Sequence, residues 1–301
     1  MSPSIAVSTV WNALRHENAQ AIISELRDLG FNSFELNVHL TESMLEEIET
    51  MLPDINIATL HNYCPLPEYP RDSGSGDFYR FSSPDPIERR KAVDMTLKTA
   101  EWASRLGAKA IVLHMGQVEM KNNHQQVLDL RLQGRNDEAD EIVRQDLAYR
   151  ETIIKPYLDA ALKSASKLAE KIAGDVLLGI ETRLLYTEIP TFDEMELFMQ
   201  AIPPSAGGYW HDFGHVHMLG LVGIAGQEEF LSRYSGRMLG MHVHDVTGKH
   251  DHRPLTLGTI DFPRLMKYVS PDVIPVLEIH KTASAEEMVK SREILAKLMQ
   301  H

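Results

Sequence analysis

The sequence predicts an α/β protein folded as a (β/α)8 TIM barrel, on three observations. Short runs rich in Ile, Val and Leu alternate with longer segments of helical periodicity along the chain. The alternation gives eight strands and eight helices in 301 residues, the count and length of a closed barrel. An open doubly wound sheet would want a glycine-rich phosphate turn after the first strand, and Ser8-Thr9-Val10-Trp11-Asn12 is not one.

The expected strands are Ser4–Thr9, Ser33–Asn37, Ile55–His61, Ala110–His114, Val176–Glu181, Gly208–Asp212, Leu239–Asp245 and Ile274–Ile279. The expected helices are Asn18–Leu29, Glu42–Met51, Pro86–Leu106, Glu151–Ile172, Thr191–Ala201, Gln227–Tyr234, Phe262–Tyr268 and Ser284–Met299. In the third of these, Val93, Leu97, Ala100, Ala103 and Leu106 mark one apolar face. Gly30, Gly107 and Gly174 stand where helices should stop. Two long loops interrupt the repeat. Asn62–Pro86, after the third strand, is rich in proline and holds Gly74-Ser75-Gly76; in a barrel it would sit on the catalytic face as a candidate lid. Met120–Arg150, after the fourth strand, reads as a solvated helical pair broken at Gly134. Nothing resembles a linker, so residues 1–301 are expected to form one domain.

Composition narrows the function. The 30 basic and 43 acidic residues leave a charge of −13, which disfavours nucleic acid or an anionic membrane as partner. A lone Cys64 excludes a disulfide framework or a cysteine-rich zinc module. No apolar run is long enough to span a bilayer and no leader pattern opens the chain, so a cytoplasmic location is expected. A small-molecule substrate is the expected partner, and a homo-oligomer stays open. The 14 histidines are unexplained by any of this.

Strand ends explain many of them. In such a barrel, side chains at the C-terminal strand ends converge on one site. The third strand ends in His61, the fourth in His114, the fifth in Glu181 and the sixth in Asp212, with His215 three residues later. The seventh carries His242-Val243-His244-Asp245, and the eighth Glu278 and His280. Carboxylates and imidazoles are the usual ligands of divalent first-row metals. Glu181, Asp212, His242 and Glu278, from four successive strands, could surround one ion: Mn2+, Mg2+ or Zn2+. Trp11 is read either as a stacking surface for a sugar or as rim packing. Asn62 and Tyr63 open the long loop and could line the pocket, and Arg183 could bind an anionic group or pair with a carboxylate. His250 and His252 fall in a loop, with His250 read as a free surface position.

The order Glu, Asp-x-x-His, His, Glu resembles the xylose isomerase-like TIM-barrel superfamily, which includes ketose 3-epimerases, inosose dehydratase-like enzymes and endonuclease IV. It is carried by Gly179-Ile180-Glu181-Thr182-Arg183, Asp212-Phe213-Gly214-His215, His242-Val243-His244-Asp245 and Val276-Leu277-Glu278-Ile279. The segment Asp251–Phe262 also looks like the family's, except that Thr256 and Leu257 replace its usual glycine and glutamate. The resemblance implies one divalent metal on Glu181, Asp212, His242 and Glu278, with His215 and Arg253 facing substrate oxygens. It implies Glu181 and Glu278 as an acid/base pair in a metal-dependent isomerase or epimerase of keto-sugars or polyols, working through an enediolate. His61 and His114 match positions that hold further metal in the endonuclease IV branch; they are read here as lining the substrate. Two alternatives stay open: an endonuclease cutting at abasic sites, and a dehydratase or lyase of the inosose or dehydroshikimate type. The charge of −13 and the lack of an Asp-x-His count against the endonuclease.

Overall fold

The computed structural model describes residues 4–300, except 74, 173 and 175, so Gly74 of the proline-rich loop lies outside the described residues. Its barrel strands are β1 Ala6–Ser8, β2 Ser33–Leu36, β3 Asn56–His61, β4 Ala110–Leu113, β5 Leu177–Glu181, β6 Gly207–Asp212, β7 Met238–Val243 and β10 Ile274–Leu277. All eight expected strands are present, most of them a residue or two shorter than expected. Every pairing among them is parallel, and β1 bonds to both β2 and β10, which closes the barrel and removes the open-sheet reading.

The helices are α1 Ala19–Asp28, α2 Glu42–Glu49, α3 Pro86–Arg105, α4 His124–Leu132, α5 Asn136–Ile153, α6 Lys155–Lys171, α7 Phe192–Ala201, α8 Phe213–Leu221, α9 Gln227–Tyr234, α10 Phe262–Leu265 and α11 Ala285–Leu298. Local chemistry sets their ends. The Asn18 side chain accepts the Ala21 N–H, and Ser284 and Glu287 form a capping box on α11. Gly107 follows α3 at φ +71, a conformation that costs a side chain more than it costs glycine. Gly134, at φ +74, divides α4 from α5 where the break was expected. None of the described helices is long and apolar enough to cross a membrane.

Three departures from strict alternation matter. The expected helix Glu151–Ile172 is two helices, α5 ending at Ile153 and α6 restarting at Lys155 with a proline in its first turn, where a missing N–H is harmless. Helix α8 was not expected at all. It starts at once after β6 because the Asp212 carboxylate caps it, accepting the His215 N–H at 2.7 Å. The segment after the seventh strand is a hairpin of β8 Asp245–Thr247 and β9 His250–Arg253, not a loop. Asp245 Oδ1 fixes its base by accepting N–H groups from Val246, Thr259 and Ile260. Gly258 lies so close to that carboxylate that a Cβ would overlap it. The tip is tied to α4 by Lys249 Nζ on Asp129 at 2.6 Å. His250 is exposed there.

Polar pairs also brace the barrel from outside. Arg150 of α5 is 5% exposed; its Nη1 and Nη2 donate to Glu194 of α7 at 2.6 and 3.0 Å, and Nη2 also donates to the Glu188 carbonyl at 3.0 Å. Glu194 in turn accepts the Thr191 N–H as part of the α7 capping box.

Candidate active site

The four expected ligands gather at the C-terminal ends of neighbouring parallel strands. Asp212 pairs with His242 across β6 and β7, and Glu181 with Trp210 across β5 and β6. Glu278 lies one residue past β10, its N–H bonded to the Val243 carbonyl at 3.2 Å. His242 Nδ1 is 2.9 Å from Glu181 Oε1, 3.1 Å from Glu278 Oε2 and 3.6 Å from Asp212 Oδ2. Donor atoms of all four lie within 4.8 Å of one another. Ligands about 2.0–2.2 Å from a shared ion stand at most about 4.4 Å apart, so a small inward adjustment closes the set on a dication. Three carboxylates and one imidazole are a donor set for such an ion.

Above them opens a cavity of about 530 Å³. Glu181 and Glu278 line it, while Asp212 and His242 lie behind its wall with no exposed surface. His61, His114, His215 and Arg183 line it too, as the sequence suggested. His114 bridges two carboxylates, Asp77 Oδ2 at 3.0 Å and Glu181 Oε2 at 2.8 Å. Burial and Arg183 oppose its charge, but Asp77 and Glu181 more than restore it and push its pKa up to about 9. Burial raises the Glu181 carboxyl, yet His114 and then hydrogen bonds from His242 and His61 hold it well below the usual range. Burial likewise opposes Glu278 ionisation, and His242 and His252 reverse it, so the carboxylate is the ground state. Arg183 sits 3.3 Å from Glu181 Oε2 and gives Nε and Nη2 to Glu188 Oε1 at 3.1 and 2.7 Å, so its charge already has carboxylate partners.

His215 illustrates how the backbone sets a tautomer. Its Nδ1 donates to the Thr182 carbonyl at 3.0 Å, and burial lowers its pKa. The neutral ring therefore turns an accepting Nε2 toward Asp251, 4.0 Å away. His244, two residues after His242, does face the same side: its Nε2 is 3.0 Å from Asp212 Oδ1, and its Nδ1 accepts the His252 N–H at 2.8 Å. His252 takes φ 52, a turn that lets adjacent Asp251 and His252 both reach the cavity where a regular strand would send one away. Its ring stacks between His244 and His280, with centroids 4.0 and 3.7 Å apart.

Other expected residues sit elsewhere. Trp11 is 1% exposed and outside the cavity lining; its Nε1 donates to the Ala283 carbonyl at 2.9 Å and Arg15 covers its ring at 4.0 Å. Its packing is that of a rim residue. Trp11→Phe is expected to leave KM unchanged and to cost about 1 kcal/mol of unfolding free energy for the lost buried hydrogen bond. Steady-state kinetics and urea unfolding measure both; a KM raised severalfold would return Trp11 to the substrate. Asn62 is also behind the wall, its amide paired with Thr96 and Thr99 of α3 at 3.0 Å each. Tyr63 is buried with its hydroxyl on the Tyr79 carbonyl. Arg253 is half-buried, and its Nη1 donates to Thr282 Oγ1 at 3.2 Å, so it approaches the rim through a lining residue. Burial raises the Cys64 thiol, which suits packing and not nucleophilic chemistry.

Some site residues were missed by the sequence reading. Glu35 lies buried inside β2, Asp77 comes from the proline-rich loop, and Asn37 lines the cavity with a buried Oδ1 that has no hydrogen-bond partner among the described residues. The signal for Glu35 was present: alternation in Ser33-Phe34-Glu35-Leu36 puts a carboxylate and a serine on one face of a strand otherwise apolar.

The model of the family described as "Xylose isomerase-like TIM barrel" matches residues 23–297. No curated protein matches the sequence. Among solved structures, a D-tagatose 3-epimerase-like protein superposes with TM-score 0.67 at 15% identity, covering 100% of this chain and 97% of the other. A D-psicose 3-epimerase from Clostridium cellulolyticum H10, solved with D-tagatose, gives TM-score 0.67 at 10% identity with 100% of both chains covered. An IolI protein with a bound zinc atom gives TM-score 0.63 at 15% identity, covering 99% and 98%. The closed parallel barrel and the family match over most of its length place this chain in the xylose isomerase-like TIM-barrel family.

Proposed function

We propose that the protein is a divalent-metal-dependent isomerase or epimerase of a keto-sugar or polyol. The observation that carries the reading is the division of labour at the cavity floor. Four donor atoms gather within 4.8 Å, and of their residues only the two glutamates face the cavity. The cavity volume lies in the range of small-molecule sites, about 300–1,000 Å³. The sugar epimerases of the same fold support a sugar as the substrate class.

Glu181, Asp212, His242 and Glu278 would hold the ion, which when bound supplies Lewis-acid polarisation of the substrate's carbonyl and neighbouring hydroxyl. The chain's own groups do the rest. Glu278 is the base: it is ionised, and its Oε2 has two imidazole neighbours, at 3.1 and 3.6 Å. Glu181 Oε2 has three cationic or imidazole neighbours within 3.7 Å, among them His114 and Arg183, and is correspondingly less basic. Glu278 takes the proton from the carbon beside the carbonyl. Glu181, on the other side of β7 in the strand order, passes one to the opposite face for epimerisation, taking it from the protonated His114 at 2.8 Å, while Glu278 gives its proton up to solvent and His114 regains one. Return to the neighbouring carbon instead gives isomerisation. His215 Nε2 accepts a substrate hydroxyl, and the unpaired Asn37 amide oxygen accepts another. Loss of a hydroxyl after the same first step would make the enzyme a dehydratase.

Metal analysis of the purified protein is expected to find about one Mn2+, Mg2+ or Zn2+ per chain, with turnover lost on chelation and restored on re-addition. Full turnover in the metal-free protein would sink the reading. Two further donor groups favour a second reading, an abasic-site endonuclease: His61, His114 and Glu181, and Asp212, His215, His244 and His252. The net charge of −13 opposes it, because a duplex is held largely through its phosphates. Three zinc ions per chain together with salt-sensitive abasic-site cleavage would replace the first reading with this one.

A further inference from the structure

Glu35 has no exposed surface, and its side chain points into the barrel from β2, across from β7. Its Oε2 accepts the Thr59 hydroxyl at 2.9 Å and faces His242 Nε2 at 3.0 Å. Among the described residues its Oε1 has no hydrogen-bond partner. A buried carboxylate with one oxygen unpaired is costly, and an apolar residue of similar size would fill the space without that cost. The charge therefore calls for a partner that benefits from it.

That partner is the imidazole of His242. Carboxylate oxygens serve as hydrogen-bond acceptors, and Oε2 faces Nε2 at 3.0 Å, so the hydrogen on Nε2 points to Glu35. In the neutral ring this leaves the lone pair on Nδ1, the atom 2.9 and 3.1 Å from Glu181 and Glu278. The ring plane is fixed as well, by the Trp210 edge at 5.2 Å and by His61 stacked at 5.9 Å. Ring orientation, tautomer and charge all favour a cation at Nδ1.

We propose that Glu35 is a positioning residue for the metal, selecting the ligating nitrogen of His242 and adding a further negative charge behind Glu181, Asp212 and Glu278. This rests on the metal site proposed above. The carboxylate–imidazole–metal line would run from β2 through β7 to the cavity floor. It makes the ligand set depend on a strand that supplies no ligand itself.

The test is a titration of the metal-stripped full-length protein with Mn2+, followed by electron paramagnetic resonance, for wild type, Glu35→Gln and Glu35→Ala. Thermal unfolding of the metal-free proteins runs alongside. Glu35→Ala is expected to weaken Mn2+ binding by about 10–100-fold. Glu35→Gln keeps an acceptor for Nε2–H but loses the charge, so its loss should be smaller yet measurable. In the zinc-loaded wild type, 15N-edited spectra should place the His242 hydrogen on Nε2. A purely structural role would lower the unfolding temperature and leave the Mn2+ affinity within about twofold of wild type in both variants, which overturns the proposal. A hydrogen found on Nδ1 overturns it too. If Glu35→Ala does not fold, the Glu35→Gln titration decides alone. A wild type that binds no Mn2+ or Zn2+ would remove the metal site itself, a failure distinct from unchanged variants.

Discussion

Glu278→Gln is expected to lower kcat by about 10²–10⁴-fold, the usual contribution of a positioned general base. The amide keeps the shape of the side chain and an oxygen that can still face the ligand set, but it cannot take a proton. Because Glu278 is also a proposed ligand, the measurement pairs kcat with metal content. Loss of turnover with metal retained assigns the proton step to this carboxylate; full turnover with metal bound would remove it from the chemistry. Glu181→Gln should behave differently. Glu181 joins His61, His114, Arg183 and His242, so its neutral form disturbs several partners at once and metal content should fall with activity.

Arg150→Ala is expected to destabilise the protein by about 3–5 kcal/mol, because it leaves the Glu194 carboxylate buried without a counter-charge. Urea unfolding checks this, and a loss below about 1 kcal/mol would show that the pair behaves as an exposed bridge does. Pairing Arg150→Met with Glu194→Gln should recover part of the loss, since the uncompensated charge disappears while the amide can still accept the Thr191 N–H. Activity should fall too in the single variant. Arg150 also holds the Glu188 carbonyl, and the Glu188 carboxylate holds Arg183 beside Glu181.

The barrel and the cluster of side chains at its strand ends were legible because they are local signals: a buried run, then a carboxylate or imidazole where the run ends. Glu181, Asp212, His242 and Glu278 could be read one strand at a time. Glu35 shows in its own strand only as a carboxylate on an otherwise apolar face; its meaning comes from His242, 207 positions away in sequence. Trp11 and Asn62 stand just past strand ends, yet their side chains turn outward to Ala283 and α3; position along a strand gives depth, and the direction of the residues after it is set by tertiary contacts. Helix α8 escaped because Asp212 serves two purposes, proposed ligand and helix cap, with no loop residues between strand and helix to announce a start. The hairpin was hidden by the composition of β9, His-Asp-His-Arg, which carries none of the apolar alternation of a half-buried strand.

Closure of the barrel has a consequence for how the protein is made. Ala6 pairs with Val276, so the first strand of the barrel waits for the last one to be synthesised. Until then the nascent sheet carries two open edges, each a row of unpaired amides and carbonyls able to recruit a neighbouring chain. Glu278 emerges just behind β10, so the proposed ligand cluster could not be complete before the same moment. Truncations before residue 274, which leave both edges open, should therefore accumulate as aggregates.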